Sequence, residues 1–221
     1  MNGEPMSGVA TRLILVAGAT SASGEAVCRS LINSGATVLA VGRRAEALNE
    51  LEQAVPGVDT RTCDLADRNE VAELAMRIHV KFGRIDGLVH LVGGWRGGGG
   101  ITGQTDEDWD FFDAGFRTVR NTTRVFYDDL VQSPAGRLAS VSSTSVEHPT
   151  AGSANYAAAK AAADAWIRAC AQGFQKNASN AAAALFVVTS LAGLESALGD
   201  AVVDLWNRDP ASINGHRIPL T

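Results

Sequence analysis

The chain has 221 residues, 46% of them hydrophobic, and a formal net charge of −5. That length suits one domain with a sizeable core. An acidic balance with no basic block argues against nucleic acid or an anionic membrane as partner. No apolar run reaches membrane-spanning length.

Met1 to Ala10 read as a loose tail, and a single domain is expected from residue 11 to 221. Short apolar runs then alternate with helical patterns, the signature of a parallel sheet with helices on both faces. The expected strands are Leu13–Val16, Thr37–Val41, Asp59–Thr62, Leu88–Val92, Arg137–Val141, Ala183–Val188 and Arg217–Pro219. The apolar run after Arg12 is too short for a secretory leader and passes at once into a glycine-bearing turn. Val71, Leu74, Ala75 and Ile78 have the i, i+3, i+4, i+7 spacing of an amphipathic helix. Longer helices are expected over Thr105 to Val131 and Ala154 to Gln175, with a last helical pattern over Ser196 to Trp206. Seven glycines between Gly93 and Gly103 predict a mobile loop after the fourth strand. It is either a plain connection or a border to a site at the carboxyl ends of the strands. Cys28, Cys63 and Cys170 form no close pair, which suits reduced, buried thiols in a cytoplasmic protein. His79, His90, His148 and His216 show no ligand spacing, so no metal is expected.

Four patterns carry chemistry. The first strand leads into Ala17-Gly18-Ala19-Thr20-Ser21-Ala22-Ser23-Gly24 and then a helix. Small residues there let a backbone approach a pyrophosphate, and the helix N-terminus supplies amide donors. The second strand ends in Gly42-Arg43-Arg44, without the acid that accepts ribose hydroxyls in NAD sites. Guanidinium groups at that point suit a 2′-phosphate, with Arg43 the first choice and Arg44 its helper. Two arginines opening a surface helix are the plain alternative. Tyr156 and Lys160 lie four residues apart in an alanine-rich helical stretch, which puts both on one face. A cation this near a phenol favours its ionised form, as proton exchange with a carbonyl oxygen requires. Ser143 stands thirteen residues before Tyr156, at the end of the fifth strand.

Turn, serine, tyrosine and lysine in this order and register resemble the short-chain dehydrogenase/reductase family, from about Thr11 onward. The resemblance implies a Rossmann-type, doubly wound, mostly parallel seven-stranded sheet in a single domain. It implies an oxidoreductase moving hydride between nicotinamide and a carbonyl or alcohol, with NADP(H) preferred over NAD(H). Tyr156 is then the general acid/base, Lys160 its charge partner and ribose ligand, and Ser143 the group that orients the substrate oxygen. Gly18, Thr20, Ser21, Ala22, Ser23, Gly24, Arg43, Arg44, Asp64, Leu65, Val92, Gly93, Tyr156, Lys160 and Thr189 are the implied cofactor contacts, with Asp64 accepting from the adenine amino group. The family's habit also implies a homodimer or homotetramer joined through the Tyr156 helix.

The chain departs from the family at several points. Ala22 replaces the turn's middle glycine, and His90-Leu91-Val92-Gly93 replaces Asn-Asn-Ala-Gly. His90 is expected to be a structural residue. Gly115 stands where the family has its catalytic asparagine, and Asn121 lies six residues on. Val187-Val188-Thr189-Ser190-Leu191 replaces the Pro-Gly segment, leaving Thr189 as substitute anchor for the nicotinamide amide. Only Leu191 to Leu194 stand where family members insert a substrate cover, which leaves Trp95, the glycine loop or a neighbouring subunit as candidate covers. These losses support a second reading, a dinucleotide-binding redox reader or scaffold with little or no turnover.

Overall fold

The computed structural model describes residues 8–221. Seven strands form one sheet: β1 (Leu13–Ala17), β2 (Thr37–Gly42), β3 (Asp59–Thr62), β4 (Gly87–His90), β5 (Arg137–Ser143), β6 (Ala182–Val188) and β7 (His216–Pro219). Their order is β3-β2-β1-β4-β5-β6-β7, and every pairing is parallel. The expected strands are thus all present. β4 is the one that ends early, because Leu91 and Val92 leave the ladder after Leu91 N–H donates to the Ala17 carbonyl at 2.8 Å.

Seven helices connect and cover the strands: α1 (Ala22–Asn33), α2 (Ala45–Ala54), α3 (Arg68–Phe82), α4 (Asp106–Gln132), α5 (Ala154–Asn177), α6 (Glu195–Asp204) and the short α7 (Pro210–Ile213). Alternation along the strands feeds two cores. Ile14, Val16, Val38 and Ala40 face α1 and α6, with Val27, Leu31, Leu198 and Val202. Leu15, Ala17, Leu39 and Val41 face α3, α4 and α5, with Val71, Leu74, Phe126, Ile167 and Phe174. A sheet buried on both faces explains why its strands read as continuous apolar runs.

The tail expectation is corrected at its inner end. Val9 is fully buried, and Gly8 N–H donates to Asn207 Oδ1 at 3.0 Å. Residues 1–7 lie outside the described residues. All three cysteines are free thiols, with Cys28 and Cys63 buried. Strand order reverses between β1 and β4, and a ligand crevice belongs beyond the carboxyl ends at such a switch point.

Candidate active site

A cavity of about 600 Å³ opens at that switch point. One wall is the turn after β1. Gly18 has φ +81°, and a Cβ there would meet Val92 N at 2.8 Å. A Cβ on Gly24 would meet the Ala19 backbone at 2.5 Å, so the first turn of α1 packs on the loop only because Gly24 has none. Ser21 caps α1: its Oγ accepts from Gly24 N–H at 3.0 Å and donates to the Gly18 carbonyl at 3.2 Å. Its β-region backbone leaves the next amides at the helix mouth, where a pyrophosphate fits. Ala22 is the first residue of α1, and Thr11 is the sole non-glycine of positive φ among the described residues. Its methyl is therefore accommodated without strain.

The turn residues divide into two groups. Gly18, Thr20 and Ser21 line the cavity, while Ser23 and Gly24 are buried behind the turn and Ala22 is exposed outside it. At the far end Arg43, Arg44, Asp64 and Leu65 line the wall. Among the described residues neither arginine takes part in an ion pair. Two exposed guanidinium groups with no carboxylate partner suit a phosphate. One oxygen of Asp64 is engaged locally, accepting from Ala66 N–H at 2.9 Å.

Lys160 forms the inner wall with Val92 and Gly93. Its Nζ donates to the Val141 carbonyl at 2.8 Å and lies 5.9 Å from the centre of the Tyr156 ring. Burial of the ammonium pushes its pKa down to about 8. A lysine has three donors, and the Val141 carbonyl is the one acceptor seen for Lys160 among the described residues, so donors are left for a ligand's hydroxyls.

Ser143, Tyr156 and Thr189 lie off the cavity lining. Ser143 is buried, its Oγ accepting from Ser145 N–H at 3.1 Å as the cap of a short 3₁₀ turn. Tyr156 meets the Phe112 ring edge-on at 5.7 Å. Thr189 Oγ1 lies 3.4 Å from Thr144 Oγ1, past the end of β6.

Other residues of the site had weaker sequence signals. His90 is buried at the cavity wall, and its Nε2 lies 2.8 Å from Thr118 Oγ1. That hydroxyl donates to the Gly115 carbonyl at 2.6 Å, which assigns the imidazole as donor. Desolvation, then the Lys160 charge, lowers the His90 pKa to about 3, so the ring stays neutral. Asn121 is buried and donates to the Leu65 and Ala66 carbonyls at 3.0 and 2.9 Å, tying α4 to the loop after β3. Gly115 lines the cavity with open space where a Cβ would stand. Phe111, Phe112 and Phe116 complete that end.

The glycine loop is stitched down, contrary to the mobile loop expected from composition. Gln104 Nε2 donates to the Gly98 and Gly100 carbonyls at 3.0 and 3.1 Å, and Gly98 N–H donates to the Gly152 carbonyl at 2.8 Å. Gln104 Oε1 accepts from Asn155 N–H at 3.0 Å, one residue before Tyr156. Its glycines take left-handed backbone at Gly99 (φ +66°) and Gly100 (φ +70°), so they shape the loop rather than loosen it.

Residues 12–195 match the sequence pattern of the short chain dehydrogenases. The chain belongs to that family. It is 31% identical over 155 residues to the 3-oxoacyl-acyl-carrier-protein reductase of Thermotoga maritima, covering 68% of this chain and 63% of that enzyme. It is 30% identical over 151 residues to the NADP-dependent 3-hydroxy acid dehydrogenase of Escherichia coli, covering 67% and 61%. Both matches thus span less than two thirds of those enzymes' own length. A metagenomic short-chain oxidoreductase in complex with NADP superposes with TM-score 0.82 at 23% identity, over 97% of this chain and 100% of the other. That likeness bears on the fold. The cavity described above fits a dinucleotide: a small-residue turn at a helix mouth, unpaired arginines at one end and a partly buried lysine with donors to spare at the other. No described helix is long and apolar enough to cross a membrane.

Proposed function

We propose that the protein is an NADPH-dependent carbonyl reductase, reversible as an alcohol dehydrogenase. The observation that carries this reading is Lys160, a desolvated ammonium at the cavity wall, one helical turn from Tyr156 and with donors unused. At the opposite end of the same cavity, the unpaired Arg43 and Arg44 suit a 2′-phosphate. The NADP complex of the metagenomic relative and the NADP dependence named for the Escherichia coli enzyme support the choice of nucleotide.

In this reading the amides at the mouth of α1 bind the pyrophosphate, and Gly18 allows its close approach. Asp64 and Leu65 border the adenine, and Val92, Gly93 and Thr189 the nicotinamide end. The nicotinamide, when bound, supplies or accepts hydride. Lys160 holds the ribose hydroxyls and places a positive charge beside the Tyr156 phenol. Tyr156 donates its proton to the carbonyl oxygen as negative charge develops there, and takes it back in the reverse direction. Ser143 orients that oxygen once its Oγ exchanges the Ser145 amide for substrate. His90 stays neutral and acts as wall, keeping a second positive charge away from Lys160.

Tyr156→Phe tests the assignment, with NADPH oxidation followed in the presence of ethyl acetoacetate, phenylglyoxal or an acetoacetyl thioester. Turnover is expected to vanish while NADPH affinity stays within about threefold. Substantial activity in that variant removes Tyr156 from the mechanism. One observation favours the other reading, a binder with little turnover: Ser143 Oγ is already engaged as a cap and sits off the cavity. A wild type that binds NADPH tightly and reduces none of the three probes decides for that reading. Self-association through α5 belongs to the same proposal, and sedimentation that finds a monomer contradicts it.

A further inference from the structure

Arg217 is heavily engaged near the site, yet it comes from the last strand and does not line the cavity. It pairs in register with Leu185 of β6, and β6 separates it from β5. The guanidinium nevertheless reaches the end of β5. Nη2 donates to the Ser143 carbonyl at 3.1 Å, and Nη1 donates to Ser142 Oγ at 3.1 Å. Nη1 also pairs with the carboxylate of Asp164 on α5, and Nε pairs with Glu147 Oε1 at 3.2 Å. One planar group thus joins four partners on three segments: the end of β5, the turn that follows it, and α5.

Those segments carry the proposed chemistry. Ser143 ends β5, and Asp164 lies one and two turns along α5 from Lys160 and Tyr156. Spacings of four and eight put all three α5 residues on neighbouring positions of one helix face. Asp164 is 1% exposed, and its Oδ1 has no hydrogen-bond partner. A carboxylate so placed is not optimised for stability, because an ion pair withdrawn from water gains little over a well-packed apolar pair. What it does supply is geometry. The fork of a guanidinium fixes direction as well as distance, which a lysine in its place does not do.

We infer that the Arg217–Asp164 pair is a positioning device, which sets the end of β5 with Ser143 against the face of α5 that carries Tyr156 and Lys160. The inference rests on the reductase reading. Neither residue lines the cavity, so the pair makes no direct contact with the cofactor, and Lys160 keeps its own tie to β5 through the Val141 carbonyl. A slip of about 1 Å between reacting groups lowers the rate on the order of 100-fold. Arg217→Met and Asp164→Asn therefore lower kcat by about 10- to 100-fold, with the NADPH dissociation constant and KM changed by less than about threefold.

Lost stability would also lower activity, so the deciding variant is the double exchange Asp164→Leu with Arg217→Met. It removes both charges and leaves neither buried alone, which offsets the donors lost at the Ser142 hydroxyl and the Ser143 carbonyl, and it is expected to melt within a few degrees of the wild type. Positioning predicts that kcat stays low in this stable protein, and that Arg217→Lys rescues only part of it. A double variant with wild-type kcat makes the pair a matter of stability and overturns the inference. So do single variants that lose NADPH affinity in step with kcat. A wild type that reduces none of the ketone, aldehyde and thioester probes overturns the reductase reading, and this inference with it. An active wild type with unaltered variants overturns this inference alone.

Discussion

The desolvation of Lys160 makes a prediction that separates stability from function. A lysine titrates at 10.5 when solvated, whereas Lys160 in the fold titrates at about 8. Below about pH 8 both native and unfolded chains are protonated there, and the native state bears the whole burden of a buried charge. That burden is about 3 kcal/mol at pH 7. Between pH 8 and 10.5 the unfolded chain keeps a proton the native chain has released, so stability from this group rises with pH. By pH 9.5 the burden has fallen to about 1.4 kcal/mol. Lys160→Met removes it at every pH and gives up the hydrogen bond to the Val141 carbonyl, worth about 1 kcal/mol. The variant should therefore be more stable than wild type by about 2 kcal/mol at pH 7, and nearly equal to it at pH 9.5. Urea denaturation at the two pH values measures the difference, since other titrating groups are common to both proteins. Turnover should be lost with the lysine. A variant less stable at pH 7, or a gap that does not close with pH, refutes the account of Lys160 as a charge held in place against solvation.

The same titration shapes catalysis: kcat/KM for reduction should fall as pH rises through about 8, where free enzyme loses the Lys160 charge, and a flat profile to pH 10 contradicts that. Arg43→Ala should weaken NADPH by 10-fold or more in calorimetric titration and leave NADH unchanged; equal losses for both nucleotides remove Arg43 as the selector. Gly115→Ala places a methyl in open space within α4, so it should stabilise the protein by about 0.5–1 kcal/mol in thermal melts. A lower melting temperature would show that the glycine is needed for the helix path.

The fold was legible because its signals are local. Each strand is an apolar run and each crossover an amphipathic helix, and seven such units in parallel leave few topologies open. The small-residue turn after β1 was legible for the same reason: strand, Gly18, capping serine and helix are contiguous in the chain. The loose-tail reading failed at Val9 because one valine among small and polar residues carries no period, and only the fold supplies its pocket. The glycine loop misled in the opposite direction. Its composition predicts freedom, but Gln104, outside the glycine run, has the donors and the acceptor to bind it to the segment before Tyr156.

The relation of Ser143 to Tyr156 lies beyond any local signal. Thirteen residues of spacing say that a serine and a tyrosine belong together, and nothing about what holds them there. In the fold the contacts come from remote parts of the chain: Arg217, 74 positions from Ser143, binds its carbonyl, and elsewhere at the cavity Asn121 binds Leu65, 56 positions away. Sequence showed Arg217 as one polar residue in a short strand and Asn121 as an asparagine misplaced on its helix. Asn121 becomes informative only when its carbonyl partners are known, because a side chain that binds backbone leaves no complementary residue type to find, and Arg217 only when the fold selects Asp164 and Glu147 from among the acids of the chain. The motif therefore identifies which atoms could react, while the rigidity of their arrangement depends on residues outside the motif. In this chain the usual asparagine is absent and Ser143 Oγ is occupied by an amide. If the inference about Arg217 holds, turnover requires Ser143, Tyr156 and Lys160 and, in addition, a firm hold between β5 and α5.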